Sequence, residues 1–443
     1  MTETRRALEP ELLWTPDGFR RDLRLILDGD RIAAVEPTAK SQAEDAAELP
    51  VEALPRRALL PGFVNAHSHA FQRGLRGRGE TFPRGAGSFW TWREAMYGLV
   101  ERLDEQGFHD LCLQAFQEML GAGMTSVGEF HYFHHLTDRL DDFRADELVL
   151  DAAEQAGIRM VLLYAYYRTG GIGAPLAGGQ RRFSTPSLDV YRRRLDQLTK
   201  RLDPRTQSLG VVAHSIRAVD LEELAALHRE ARDRGLVFHM HLEEQRQEIA
   251  ACREAYGKAP MDVVLEQIDP AATPTTAVHC THTEANAMAR YLEQGGNVCI
   301  CPLTEANLAD GIADLPGISG GAKGPQICLG SDSNARISML EEGRWLEYVQ
   351  RLHLERRGVL IDGDGLCGRN LMHAATLGGA RSLGLDAGAL EPGRVADLVS
   401  VDLDHPSLAF APTEGDGLID ALFLGASDGV IDRVWVGGEP RLG

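Results

Sequence analysis

Eight short apolar runs alternate with amphipathic, helix-like segments through the middle of this 443-residue chain, and both ends read instead as short strands and tight turns. That alternation predicts an α/β protein: a (β/α)8 TIM-like barrel with a small β-sandwich domain formed from both chain termini. A third observation agrees. Four of the apolar runs are closed by His, Glu or Asp, at the strand ends where such a barrel carries its chemistry.

Taken in order, residues 22–36 read as a hairpin across Asp28-Gly29-Asp30. Barrel strands are expected at 59–66, 124–130, 160–165, 209–213, 236–240, 276–278, 297–301 and 327–331. Helices are expected between them, among others at 108–122, 147–156, 189–202 and 221–234, several stopped by a following glycine. Strands at 396–402 and 430–438 return to the terminal domain. The expected division is 1–58 and 388–443 for the β-sandwich and 59–387 for the barrel, with no long linker, internal repeat or low-complexity segment.

Composition sets the class. The chain is 44% apolar and 25% charged, as in an ordinary soluble protein. No apolar run approaches the ~20 residues that span a bilayer, and the start of the chain does not resemble a signal peptide. Seven scattered cysteines fit reduced thiols in a cytoplasm better than a disulfide framework. A cytoplasmic protein that uses no membrane is expected. The net charge of −19 argues against nucleic acid and means that an anionic substrate must be drawn in by local cations. Arg73, Arg76, Arg78, Arg84 and Arg93 follow the first polar strand end. Of these, Arg76, Arg78 and Arg84 are read as solvated loop charges. The stretch from Phe71 to about Trp92 is too long for an ordinary connection and is expected to fold over the site.

The polar strand ends are His67-Ser68-His69, His241 with Glu244 three residues on, His279, and Asp332. Histidines at i and i+2 of a strand point the same way, so His67 and His69 can share one ion. With His241 and Asp332 they form the neutral-imidazole and carboxylate set that a divalent metal, Zn2+ first, prefers. Glu244 sits beside that set without being needed in it, where a proton shuttle belongs. Each piece alone has a duller explanation: a polar strand edge, a solvated helix start, a hydrogen-bonded core histidine. Their joint placement at four strand ends is what argues for a hydrolase site. His239 is read as a barrel-interior histidine, and Cys299 and Cys301 as strand packing.

This order of motifs resembles the amidohydrolase superfamily, and more narrowly its branch that deiminates N-formimino-L-glutamate. Nearly the whole chain is covered. The resemblance rests most on the segments 65–73, 125–132, 214–217, 301–308 and 330–338, with Phe71-Gln72-Arg73 and the His214/Arg217 pair the more particular elements. Ala213 stands where that branch is expected to carry a proline. The resemblance implies a metal-dependent hydrolysis to N-formyl-L-glutamate and ammonia in histidine degradation. It implies Glu244, His279 and Asp332 in catalysis, Gln72, Arg93, Tyr132, His214 and Arg217 around a small dianionic amino-acid-derived substrate, and a homodimer. A single divalent ion is expected, because the fourth strand offers neither Lys nor acid to bridge a second. Two other classes stay open: a different mononuclear amidohydrolase, such as a guanine-type deaminase or cyclic-amide hydrolase, and a non-catalytic barrel scaffold. The arginine pair disfavours an aromatic base, and the full set of ligands disfavours the scaffold.

Overall fold

The computed structural model describes residues 5–38, 49–82, 85, 87–315, 326–413 and 416–442. Eight parallel strands follow one another around the barrel: Phe63–Ser68, Met124–His131, Arg159–Tyr166, Gln207–Ser215, Val237–Leu242, Thr275–His279, Asn297–Ile300 and Ile327–Leu329. Each pairs with its neighbour in sequence. Between the eighth and first strands the seam is closed at the C-terminal end. There the Asp332 N–H donates to the His67 carbonyl (3.0 Å) and the His69 N–H to the Asp332 carbonyl (2.9 Å). The residues that complete the barrel are therefore the expected ligands themselves.

The helices lie close to where they were expected: Glu105–Gly121, Arg144–Ala156, Leu188–Arg201 and Leu221–Arg234. Gly157 and Gly235 end two of them in the left-handed region, at φ 78° and 66°. The strands run one or two residues longer than expected at several ends, as in 207–215 against 209–213, because paired backbone extends past the apolar run.

The expected first barrel strand, 59–66, is corrected. Strand Val51–Pro61 belongs to the sheet of the termini, and the barrel strand begins at Phe63. The break falls at Gly62, where an added Cβ would lie 2.2 Å from Thr125 Oγ1.

The termini form one continuous eight-stranded mixed sheet, in which Val51–Pro61 pairs with both Arg6–Thr15 and Leu398–Asp402. The hairpin across Gly29-Asp30 forms as expected. The sheet wraps over its own core of Leu8, Leu25, Leu59, Leu398 and Trp435, and its two ends meet where Gly438 abuts the Gly29 carbonyl. A buried, bidentate ion pair ties it to the barrel: Arg159 Nε and Nη2 donate to Asp397 at 2.7 and 3.0 Å.

The barrel interior is filled from below by the chain after 374. Leu383 reaches Gly128 on the second strand, and His239 Nε2–H donates to the Ser382 carbonyl at 2.9 Å. His239 is thus the interior histidine expected, kept neutral by burial, which pushes it down to about 4. All seven cysteines are buried thiols. No described helix is long and apolar enough to cross a membrane.

Candidate active site

His67, His69, His241 and Asp332 converge at the C-terminal mouth, each at most 5% exposed. His241 Nε2 lies 3.2 Å from His67 Nε2 and 3.3 Å from His69 Nε2, while Asp332 Oδ1 is 3.3 and 3.2 Å from the same two nitrogens. Ligands about 2.0–2.1 Å from a tetrahedral ion stand roughly 3.3 Å apart, so these spacings fit a metal without rearrangement. The protonation pattern fits too. His69 Nδ1–H donates to the Phe130 carbonyl at 2.8 Å and His241 Nδ1–H to the His214 carbonyl at 3.0 Å, which leaves Nε2 of each ring as the nitrogen free to face an ion. Burial drives His67 down to about 3 and His241 well below the usual histidine value. Asp332 stays ionised: burial opposes this, but His67 and His69 hold it well below the usual carboxylate range. Converging lone pairs and a buried carboxylate suit a cation between them.

The local backbone is bent to present these groups. Glu243, His279, Cys280, Asp332 and Asn334 all have positive φ, between 43° and 76°, which side-chain-bearing residues rarely adopt. Bonds around them hold the turns. The Asn334 amide donates to Ser68 Oγ (3.1 Å) and the His69 carbonyl (3.0 Å), and the Glu243 N–H donates to Glu248 Oε1 (2.8 Å).

Glu244 and His279 stand over the cluster. His279 Nε2 is 3.8 Å from Asp332 Oδ2 and 4.0 Å from Glu244 Oε1, and its Nδ1 bonds Glu305 Oε1 at 3.3 Å. Burial opposes the charge on His279, but Glu305, Glu244 and Asp332 together push it up to about 10. Arg217 takes Glu244 Oε2 at 3.1 Å through Nη2, and its Nε lies 3.0 Å from Glu248 Oε2. Expected as a carboxylate anchor, Arg217 does line the cleft, and it also clamps Glu244.

The remaining expected residues line the same open-mouthed cleft. Gln72 Nε2 lies 2.6 Å from the Tyr132 hydroxyl. Arg93, on helix Phe89–Arg102, lies 5.3 Å from each of the Trp90 and Tyr97 rings. His214, at the fourth strand end, is kept neutral chiefly by burial and then by the Arg217 charge. Ala213 pairs with Tyr166 on the third-strand side, while on the fifth-strand side the register shifts between Val212 and Ser215, an irregularity that spans Ala213 and His214. The helix after the Gly-rich stretch supplies one wall through Phe89, Trp92, Arg93, Met96 and Tyr97. Arg76 departs from expectation: it pairs with Glu118 Oε2 at 2.8 Å and donates to the Asn334 carbonyl at 2.9 Å. Arg78 is exposed, and Arg84 lies outside the described residues.

Sequence reasoning assigned no role to Glu305, Glu248, Tyr97, Tyr167 or Gln180. Two were within reach. Glu305 follows the seventh strand and Tyr167 the third, so the strand-end rule that found the ligands also marks them.

With this geometry in hand, the comparisons with known proteins are specific. The amidohydrolase family model matches residues 58–441. The chain is 37% identical to a formimidoylglutamate deiminase of Pseudomonas aeruginosa over 98% of this chain and 94% of that one. A solved amidohydrolase from Brucella melitensis superposes with a TM-score of 0.85 at 31% identity, covering 99% of this chain and 94% of that one. An adenosine deaminase from Xanthomonas campestris, solved with bound zinc, superposes with a TM-score of 0.81 at 25% identity, covering 98% and 92%.

Proposed function

The chain belongs to the amidohydrolase family, and we propose that it hydrolyses N-formimino-L-glutamate to N-formyl-L-glutamate and ammonia. One juxtaposition carries this reading: the guanidiniums of Arg93 and Arg217 share a cleft with the three-histidine, one-aspartate cluster. A substrate with an amidine at one end and two carboxylates at the other matches that layout, since Arg is the residue best suited to fork a carboxylate. Full-length identity to a formimidoylglutamate deiminase supports the same substrate.

His67, His69, His241 and Asp332 would hold one divalent ion, Zn2+ in our reading, which when bound supplies an acidified water at neutral pH. Glu244 receives a proton as water attacks the formimino carbon and passes it to the terminal nitrogen. A carbon–oxygen bond forms, the bond from carbon to that nitrogen breaks, and both water protons depart with the nitrogen as ammonia. His279, braced by Glu305, turns Nε2 toward the reacting oxygen and offsets its developing charge. Gln72, Arg93, Tyr132, His214 and Arg217 bind and orient the diacid. The same reading places the protein in histidine degradation, in the cytoplasm and as a homodimer, with a small dianionic substrate as its partner.

The test is ammonia release from N-formimino-L-glutamate by metal-loaded protein, with guanine alongside. Release from the first substrate alone, abolished by a chelator and restored by Zn2+, is the expected result. No release with the metal demonstrably bound would overturn the substrate assignment.

A further inference from the structure

Phenols in the cleft present a pattern that the proposed chemistry uses only at Tyr132. Tyr97, Tyr132 and Tyr167 all line it, and all three rings pack on one buried phenylalanine, Phe183, at centroid distances of 6.2, 4.7 and 5.6 Å. A phenol has one proton to donate and lone pairs to accept with. What matters is which of these the protein has already engaged.

At Tyr97 the partner is Arg93 Nε. Guanidinium nitrogen only donates, so the Tyr97 oxygen accepts and its own proton stays free. At Tyr167 the partner is Gln180 Nε2, 3.2 Å away. The orientation of that amide is set by backbone: Gln180 Oε1 accepts from the Ala177 N–H at 3.1 Å, and Nε2 donates to the Gly170 carbonyl at 3.1 Å. The Tyr167 oxygen therefore also accepts. Neither hydroxyl has an acceptor for its proton among the described residues. Tyr132 differs, because nothing fixes the Gln72 amide: its Oε1 is buried without a partner, and either orientation leaves one donor free.

The charge balance of the cleft gives these donors work. Arg217 is shared with two carboxylates, Glu244 and Glu248, so a ligand carboxylate that it holds gains from further donors beside it. Tyr97, Tyr167 and Arg217 line the same cleft, and burial pushes the Tyr97 phenol up to about 12, so it remains a neutral donor.

We propose that the Tyr97 and Tyr167 hydroxyls donate hydrogen bonds to a substrate carboxylate held between Arg93 and Arg217, with Gln180 positioning Tyr167, and that this donor pair selects a carboxylate over an uncharged group at that end. The proposal rests on the diacid reading above and extends it to residues outside the expected substrate set.

The experiment measures KM and kcat of the metal-loaded enzyme and its Tyr97→Phe and Tyr167→Phe variants. Substrates are N-formimino-L-glutamate and two analogues with one carboxylate fewer, N-formimino-L-glutamine and N-formimino-4-aminobutyrate. A hydrogen bond to a charged group corresponds to about a ten- to hundredfold change, so KM for the diacid should rise by that factor with kcat changed far less. For the analogue lacking the contacted carboxylate, variant and parent should have the same KM. Gln180→Glu, which turns the Tyr167 proton toward the new carboxylate, should reproduce the Tyr167→Phe effect with Tyr167 intact. Unchanged KM for the diacid, or an equal penalty on both analogues, overturns the proposal. Calorimetry with glutarate separates it from the activity itself. Weaker glutarate binding in both Phe variants supports the donor pair even if the parent releases no ammonia. Equal binding, or no binding to the parent, overturns it.

Discussion

The two oxygens of Glu244 have different neighbours: Oε1 lies 4.0 Å from His279 Nε2, while Oε2 is held by Arg217. An amide at this position keeps the shape and the bond from Arg217 but cannot carry a proton. Glu244→Gln should therefore lower kcat by about 10²–10⁴, with metal content by elemental analysis unchanged, because Glu244 is outside the four-residue cluster. Loss of the metal along with activity would instead make Glu244 a ligand. At this scale the sequence was legible where residue type and strand-end position coincide, as in His67, His69, His241, His279 and Asp332. It was less legible where a side chain serves both packing and polarity. Tyr97 and Tyr167 read as ordinary aromatic residues until Arg93 and Gln180 are seen to engage their oxygens. Likewise, nothing in the spacing of Glu248 announces that it braces both Arg217 and the Glu243 backbone.

Elements hold the site through buried ion networks as well as strand pairing. Asp146, on helix Arg144–Ala156, is fully buried. It receives His131 Nε2 at 2.9 Å, His134 Nδ1 at 2.8 Å and Arg194 Nη2 at 3.1 Å. These bonds pin the turn after the second strand, which carries Tyr132 into the cleft. Burial alone would raise the Asp146 pKa, but the two histidines hold it well below the usual carboxylate range. A carboxyl whose folded pKa is depressed adds stability that is complete above its unfolded value of about 4 and fades as pH falls toward the folded value. Asp146→Asn should cost ~3–5 kcal/mol at neutral pH, because it takes the buried anion away from Arg194 and the His131 and His134 ring nitrogens that face it. It should also flatten the acid limb of a stability–pH curve measured by urea unfolding. A variant as acid-sensitive as the parent would show that the network does not govern that limb. Helix and strand identities were legible from periodicity and glycine stops. The boundary at 59–66 was not, because the apolar run passes unbroken from one sheet into another, and only Pro61-Gly62 marks the change.

Across the whole molecule the barrel is secured at three places: the sheet of the termini through Arg159 and Asp397, the lower end through the chain after 374, and the seam between the eighth and first strands. The seam is paired by a single bridge, whereas the other neighbouring barrel strands form ladders. Its backbone pairing is two bonds at His67, His69 and Asp332, where three imidazoles and a carboxylate crowd together, and side-chain bonds from Asn65 to Ser331 and from Asn334 to Ser68 and His69 add to it. An ion held by His67, His69, His241 and Asp332 would join the first, fifth and eighth strands at that point and would link metal binding to barrel closure. For a metal held only by the folded state, a free concentration a thousandfold above Kd adds about 4 kcal/mol. Spread over 443 residues, that corresponds to about 4 °C in Tm. Chelation should lower Tm by that order. In hydrogen-exchange measurements it should deprotect Phe63–Ser68 and Ile327–Leu329 first, while Arg159–Tyr166, anchored through Asp397, stays protected. Uniform loss of protection around the barrel would mean that the ion stabilises the fold globally and that the seam is no weaker than the other strand pairs.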